Sequence, residues 1–243
     1  MALIRLDRLI SNRLCITRSE AKEKIKKGQI MVNGETQRSA DIKIDPALDT
    51  VLCDNQPIQC KQYIYILLNK PKGVVCATRD DAQTVLDILP EKLRRKDLFP
   101  VGRLDKDTTG LLLITNDGQF AHQVISPKKQ IHKTYIATLS SPLPDAGAAA
   151  IQSGIKLADG TKALPAFLKP LNADQTQFEI RITEGKYHQV RRMFAAAGSH
   201  VADLKRIAIG ALRLDTSLPE GSALELSFDA VQACLCNADN SFP

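Results

Sequence analysis

The chain has 243 residues, of which 44% are hydrophobic and 25% are charged, a composition typical of a globular protein that buries a sizeable core. This length predicts one large domain accompanied by a small accessory domain. Lysine and arginine exceed aspartate and glutamate by 33 to 27, which favours an anionic partner, and the lack of an apolar run near ~20 residues excludes a membrane segment.

The first sixty residues predict a helix-helix-hairpin unit. Apolar residues recur at helical spacing across IRLDRLISNRL, which indicates a first helix. A second helix begins at the capping box formed by Thr17 and Glu20 and ends at Gly28. The Asn-Gly pair at 33–34 then indicates a tight hairpin.

Positive charge is concentrated in this unit, because residues 1–28 contain eight basic side chains against three acidic ones. Arg18, Lys22 and Lys26 recur every four residues and form a stripe on the second helix. A charge run by itself is most simply a solvated helix face. Within a compact unit it favours RNA, and the candidate RNA-binding residues are Arg5, Arg8, Arg18, Lys22 and Lys26.

A polar segment, CDNQPIQCKQ at 53–62, contains a proline and breaks the periodicity, so we place a linker there. The expected domains are residues 1–60 and 61–233, followed by a tail at 234–243. The second domain begins with a strand at 64–68 that enters the NKPKG turn, where Lys70 and Lys72 are candidates for an RNA groove.

Further elements of the second domain alternate irregularly. We expect a short helix at 85–89, a strand at 111–115, strands from HKTYIATL and QFEIRIT, and a helix from KYHQVRRMFAAAG that closes at Gly198. Strands and helices without a regular alternation predict an α+β fold with a mixed, mainly antiparallel sheet.

The stretch GRLDKDTTGLLLITNDG at 102–118 places charged residues directly before an apolar strand. In an extended chain Arg103 and Asp105 point to one side while Leu104 points to the core, so a carboxylate and a cation share one wall of a cleft. Such a carboxylate is available as a nucleophile or a base. A turn-capping role suits Asp107 better, and a calcium loop is disfavoured because its twelfth position is Asn116.

Two sets of motifs resemble known families. The patterns R-L-D-x-L, T-R-S-E-A and G-x-I-x-V-N-G, within residues 3 to about 52, resemble the S4 RNA-binding domain. The segments GRLDKDTTGLLL, KTY and EGKYHQVRRMF resemble the motif set of the pseudouridine synthases, in the branch that carries an S4 domain and acts on ribosomal RNA. The second resemblance covers the chain up to about residue 230.

The resemblance implies roles for individual residues. Asp105 corresponds to the catalytic aspartate, Tyr135 to the active-site tyrosine, Arg191 to the basic partner of the aspartate, and Arg103 to an arginine that helps displace the target base. The flipped uracil is expected against Tyr135 and an apolar wall, for which Ile182 and Leu112 are candidates.

The implied reaction converts a uridine to its isomer pseudouridine and therefore requires no cofactor. The form of the motifs is most similar to enzymes of the small-subunit (16S) RNA, which would make uridine 516 the target. A large-subunit (23S) target, a non-catalytic S4-type assembly factor, and a hydrolytic glycosidase with Glu184 as the acid are the alternatives.

A second basic segment supports an extended RNA partner, since residues 181–213 carry seven basic side chains against two acidic ones. It adds Lys186 and Arg192 to the RNA-binding candidates. The four histidines lack the spacing of a metal site. Six cysteines without a C-x-x-C pair and a start without an apolar signal region predict a reduced, cytoplasmic setting, and we expect a monomer.

Overall fold

The protein, described from a computed structural model over residues 3–58 and 63–237, divides into two compact units. The first comprises the chain up to Ile64 together with Pro90–Leu98, and the second comprises Tyr65–Leu89 and the chain from Phe99 onward. The sequence pattern did not indicate that Pro90–Leu98 groups with the first unit. Within the described ranges no helix is long and apolar enough to cross a membrane.

The first unit is built from short elements around a small apolar core. Its elements are β1 (Ile4–Arg5), α1 (Leu6–Arg13), α2 (Arg18–Lys26), β2 (Ile30–Val32), β3 (Glu35–Gln37), β4 (Lys43–Ile44), β5 (Val51–Cys53) and β6 (Gln56–Ile58). Strand β1 pairs with β4, and a four-stranded sheet has the order β3-β2-β5-β6. Leu6, Leu9 and Ile10 of α1 are buried against Ala21 and Ile25 of α2, as their helical spacing predicts.

Local interactions explain two predicted features, the capping box at the start of α2 and the tight turn after β2. The hydroxyl of Thr17 accepts the Glu20 N–H at 3.2 Å, and the Glu20 carboxylate accepts the Thr17 N–H at 2.6 Å, which completes the capping box. Asn33 and Gly34 both have positive φ, 52° and 85°, as a two-residue hairpin with matching twist requires. The predicted helix-helix-hairpin unit is confirmed.

The linker predicted at 53–62 is wrong over its first half. Residues 53–58 continue the sheet, because β5 and β6 form a second hairpin that turns at Asp54 and Asn55, whose φ angles are 49° and 63°. Pro57 lies in β6, the outer strand of this sheet, where its missing N–H is tolerated. Residues 59–62 lie outside the described ranges.

The second unit contains the large sheet. Its elements are β7 (Tyr65–Lys70), β8 (Phe99–Pro100), β9 (Thr108–Thr115), α3 (Gly118–Ile125), β10 (Lys133–Leu139), α4 (Asp145–Ser153), β11 (Phe167–Pro170), β12 (Gln177–Ile182), α5 (Gln189–Ala196), β13 (Val201–Ile209), β14 (Leu212–Arg213), β15 (Ala223–Glu225) and α6 (Phe228–Ala233). The strand order is β11-β12-β10-β13-β9-β7-β15, with β14 beside β13 and β8 beside β9. Strand β9 is parallel to β13, and the other described pairs of this sheet are antiparallel, as predicted.

Strand β9 is buried along its whole length because neighbouring strands and helices enclose it. It lies between β13 and β7, and its Leu111 and Leu113 pack into a core with Phe120 and Val124 of α3. A strand covered in this way is a continuous apolar run, which explains why LLLI lacks alternation. The sheet thereby fixes the loop that immediately precedes β9.

Residues 85–89 form turns, so the helix predicted there is wrong. The Thr84 hydroxyl donates to the Asp87 carboxylate at 2.7 Å, and the same carboxylate accepts the Thr84 N–H at 2.8 Å. Such local side-chain bonds compete with helical ones, and a run of five residues is too short to overcome the cost of helix nucleation.

The second unit continues past the predicted boundary at 233. Cys234 is fully buried, and the Asn237 side chain accepts the His132 N–H at 2.9 Å and donates to the Gln130 carbonyl at 3.2 Å. Residues 234–237 of the predicted tail therefore pack on the second unit, and the rest of that tail lies outside the described ranges.

Candidate active site

The loop before β9 is anchored by Leu104. Its side chain is buried, and its N–H donates to the Cys76 thiol sulfur at 3.3 Å. Arg103 is exposed, Asp105 is 31% exposed, and both line one cavity, as the extended pattern predicts. The Asp105 carbonyl accepts the Thr108 N–H at 3.0 Å, which turns the chain into β9.

Lys70 supports this loop from inside the second unit. The side chain has no exposed surface, and its ammonium donates to the carbonyls of Pro71, Lys106 and Thr108 at 3.0–3.1 Å. Burial lowers the pKa of Lys70 below its ordinary value. The RNA-binding role predicted for Lys70 is therefore wrong, because its charge is used to hold the loop that carries Asp105.

Two side chains of the α5 region contact the Asp105 carboxylate. Arg191 Nε lies 3.8 Å from Oδ2, and His188 Nε2 lies 3.3 Å from Oδ1. Arg191 does not form a bidentate pair with Asp105, because its Nη1 donates to the Val201 carbonyl at 3.0 Å. Asp105 therefore has a cationic group on one oxygen and an imidazole on the other.

His188 is a site residue that the sequence motifs did not indicate, because the spacing of the four histidines carries no metal-site signal. His188 occupies the left-handed region, with φ of 47°, immediately before α5, and its ring stacks on Tyr187 at 3.8 Å between centroids. A non-glycine residue in this conformation marks a constrained position. The signal available in the sequence was its position three residues before the predicted partner Arg191.

Tyr135 reaches the same cavity from β10. It is 8% exposed, and the cavity is also lined by Asp105, Ile182, His188 and Leu204. Ile182 was one of two candidates for the apolar wall, and the other, Leu112, is buried in β9 and does not line this cavity. Asp105, Arg191 and Tyr135 are thus brought together within the second unit.

Strand register determines what lies beside Tyr135. A bulge between Thr134 and Tyr135 omits Ile207 from the pairing and sets Tyr135 opposite Arg206 of β13, whose guanidinium carbon is 6.0 Å from the tyrosine ring centroid. Gly110 allows β9 to approach this point, because a Cβ there would lie 2.2 Å from the Arg206 carbonyl oxygen.

A wider cleft of about 670 Å³ opens beside Asp105. Arg103, Lys106 and Lys186 line it together with the exposed ring of Tyr187. This opening connects the carboxylate to solvent, and the exposed cations Arg103 and Lys106 lie on either side of Asp105 in the sequence.

The other basic candidates of the second unit have acidic or carbonyl partners. Lys72 pairs with Asp203, and Arg192 pairs with Asp159. Lys186 pairs with Glu184 at 3.1 Å and donates to a backbone carbonyl at 2.8 Å. These cations are held in place while part of each side chain stays exposed.

In the first unit, the predicted RNA-binding residues are all exposed: Arg5, Arg8, Arg18, Lys22 and Lys26. Asp7, which is buried, accepts two hydrogen bonds from Arg5 at 3.0 and 3.1 Å and lies 3.5 Å from Arg18. Hydrogen bonding from Arg5 lowers the pKa of the Asp7 carboxyl. Asp7 thus orients two of the five cations.

Glu184 is bound into the structure. Its Oε1 accepts the Leu164 N–H at 2.9 Å and the Gln189 amide at 2.7 Å, and its Oε2 pairs with Lys186. A carboxylate whose oxygens are both engaged in this way is not free to contact a substrate oxygen, which disfavours the glycosidase alternative. Over residues 3–58 and 63–237 there is no group of three or more His, Cys, Asp or Glu side chains able to hold a metal ion.

Comparisons with known proteins agree with both motif sets. The family model of RNA pseudouridylate synthase matches residues 64–196, and that of the S4 domain matches residues 4–47. The chain is 41% identical to the ribosomal small subunit pseudouridine synthase A of Escherichia coli, over 94% of this chain and 98% of that protein. It is 40% identical to an RNA pseudouridine synthase of Bacillus subtilis, YtzG, over 92% and 95% of the two chains.

A solved structure described as a pseudouridylate synthase is similar along nearly the whole chain. It is 37% identical, with a TM-score of 0.67, over 95% of this chain and 99% of that one.

Proposed function

Because the chain belongs to the RNA pseudouridylate synthase family, we propose that it isomerises a uridine of ribosomal RNA to pseudouridine, with Asp105, Tyr135 and Arg191 as its catalytic residues. The observation that carries the proposal is the Asp105 carboxylate, which contacts Arg191 and His188 and lines one cavity with Tyr135. The small-subunit (16S) RNA, at uridine 516, is the proposed target, and the name of the Escherichia coli relative supports the subunit.

The reaction balances within the nucleotide itself. The bond between ribose C1′ and uracil N1 breaks, a bond between C1′ and uracil C5 forms, and the proton on C5 is lost while N1 gains one. Asp105 attacks the sugar or the base, or stabilises the positive charge that develops as the first bond loosens. Tyr135 accepts the C5 proton, and Arg191 supplies a fixed positive charge beside the carboxylate.

The target base must leave its stack before Asp105 can reach it. Arg103 is exposed beside the carboxylate, so it fills the space that the flipped base leaves in the RNA. The exposed cations of the first unit bind RNA phosphates without reading the sequence. We further propose that the protein acts as a monomer in the cytoplasm, on RNA of an assembling small subunit; the described cysteines are all free, which suits a reducing setting.

Asp105→Asn tests the proposal, because it removes the negative charge of the carboxylate and leaves the size of the side chain nearly unchanged. Conversion should be abolished while RNA binding is kept, measured by tritium release from a transcript labelled at uridine C5 and by RNA titration. Asp107→Asn is the matched control, since Asp107 is exposed in the same loop and should tolerate the change.

Three outcomes separate the alternatives. No conversion by the unaltered protein would leave only an RNA-binding role in assembly, whereas full conversion by Asp105→Asn would refute the catalytic role of Asp105. Release of free uracil would identify a glycosidase. Mapping of pseudouridines in RNA from a strain lacking the protein distinguishes a small-subunit target from a large-subunit one.

A further inference from the structure

A second chamber adjoins the cavity that contains Asp105. It has a volume of about 410 Å³, and it shares Arg103, Tyr135, Gly185 and Lys186 with that cavity. Val101, Val124 and Ile209 provide an apolar wall, whereas Lys133 and Arg206 contribute positive charge. Tyr135 therefore lies between the carboxylate and a cationic compartment that the reaction described above does not use.

Of the four basic residues that line the chamber, Lys133 and Arg206 are buried without an anionic partner among the described residues. Lys133 is 8% exposed, and its ammonium has no hydrogen bond or ion pair with any residue that the structure describes. Arg206 is 4% exposed; its Nε donates to the Leu111 carbonyl at 2.7 Å, but its Nη2 is buried with no hydrogen-bond partner in the described part of the chain. Glu184 also lines the chamber, yet both of its oxygens are engaged elsewhere.

The sheet holds these two like charges on the same face. Lys133 and Tyr135 are two residues apart on β10 and so point to the same side. The bulge in the pairing of β10 with β13 places Arg206 directly opposite Tyr135. Burial, reinforced by the charge of Arg206, lowers the pKa of Lys133 to about 8. Holding two unpaired cations in a low-dielectric site is unfavourable unless an anion enters.

We propose that this chamber binds a phosphodiester group of the substrate RNA, next to the uridine that is flipped onto Tyr135. The inference rests on the proposed function and adds to it a binding site for the backbone of the flipped nucleotide. A phosphodiester carries a formal negative charge throughout the reaction and can therefore neutralise the two buried cations. An intact uracil is neutral and cannot do so. The phosphates enter the cleft with their nucleotide, and the chamber opens beside the ring on which the base is placed.

The test compares uridine with uridine 5′-monophosphate and uridine 3′-monophosphate, bound to the full-length protein and followed by calorimetry or NMR. At least one monophosphate should bind about tenfold more tightly than uridine, the size expected for a buried charge-assisted contact. Lys133→Met should reduce this preference to within about twofold and leave the affinity for uridine unchanged. Lys169→Met, at an exposed lysine on the outer strand β11, should keep the preference.

Two results would overturn the proposal. One is the absence of any preference for a monophosphate in the unaltered protein, including no binding of all three compounds at millimolar concentration. The other is an equal loss of affinity for all three compounds in Lys133→Met, which would place the cations against the base. Failure of the proposed function would be recognised separately, because the conversion assay of Asp105→Asn does not depend on whether the protein prefers a monophosphate to uridine.

Discussion

Replacing Lys133 by methionine should stabilise the protein at neutral pH, because it removes a buried charge that has no partner among the described residues. Methionine has a similar length, so it fills the space without a new polar group. The pKa of Lys133 is lowered from 10.5 to about 8, and about 1.4 kcal/mol per pH unit converts this difference into about 3 kcal/mol. The free energy of unfolding should rise by about that amount at pH 7.

The pH dependence has a defined sign. Between pH 8 and 10.5 the unfolded chain keeps the Lys133 proton that the folded protein has released, so the stability of the unaltered protein rises with pH through this contribution. Lys133→Met has no such titrating group. Its gain in free energy of unfolding over the unaltered protein should therefore be full below pH 8 and should shrink towards pH 10.5. The charged or titratable groups that line the chamber with Lys133 are Arg206, Glu184, Lys186, Arg103 and Tyr135.

Urea unfolding followed by circular dichroism at pH 7, 8, 9 and 10 measures the difference, and hydrogen exchange of the β10 amides assigns it to the second unit. Titrations of other groups are common to both proteins and cancel. Lys169→Met, at an exposed site, should change stability by no more than about 0.5 kcal/mol. A lower stability of Lys133→Met at pH 7, or a stability difference that stays the same between pH 7 and pH 10, would show that Lys133 is not a buried unpaired charge.

Lys70→Met should lower the free energy of unfolding by about 2–5 kcal/mol and reduce conversion, because three buried carbonyls lose their donor; a loss of RNA affinity alone would contradict this. Gly110→Ala should destabilise the protein by at least 2 kcal/mol more than Gly73→Ala, measured by urea unfolding. Both glycines have positive φ, but only at Gly110 would the added methyl group clash with a facing backbone. His188→Asn, which tolerates the left-handed conformation, should lower kcat about tenfold with RNA affinity unchanged, and an unchanged kcat would exclude a role beside the carboxylate.

Several elements were predictable because their causes lie within a few residues. The capping box of α2, the Asn-Gly hairpin after β2 and the apolar face of α5 depend on side chains that are close in sequence. The failures occurred where the local pattern was ambiguous. The segment 85–89 is apolar enough for a helix but is held in turns by Thr84, and the polar segment after β5 forms a hairpin.

Burial of charge could not be predicted in the same way. The basic residues Lys70 and Lys72 are neighbours in one turn, yet the first is fully buried and the second is exposed and paired with Asp203. What separates them is the loop that packs on Lys70 from more than thirty residues further along the chain. The same holds for His188, whose contact with Asp105 joins positions far apart in sequence.

The order of residues along the chain specifies which side chains are available: the alternation of Arg103, Leu104 and Asp105 before β9, the tyrosine of β10 and the arginine of α5. Periodicity and capping depend on residues that are close in sequence. They can therefore be recognised without knowing which other element packs against the segment. Folding of the whole sheet is what places β13 between β10 and β9, sets Arg206 opposite Tyr135 through a bulge, and brings Lys133 into the same chamber as Arg206. Those outcomes depend on strand order and register, which are set by burial of the whole sheet and not by any one segment.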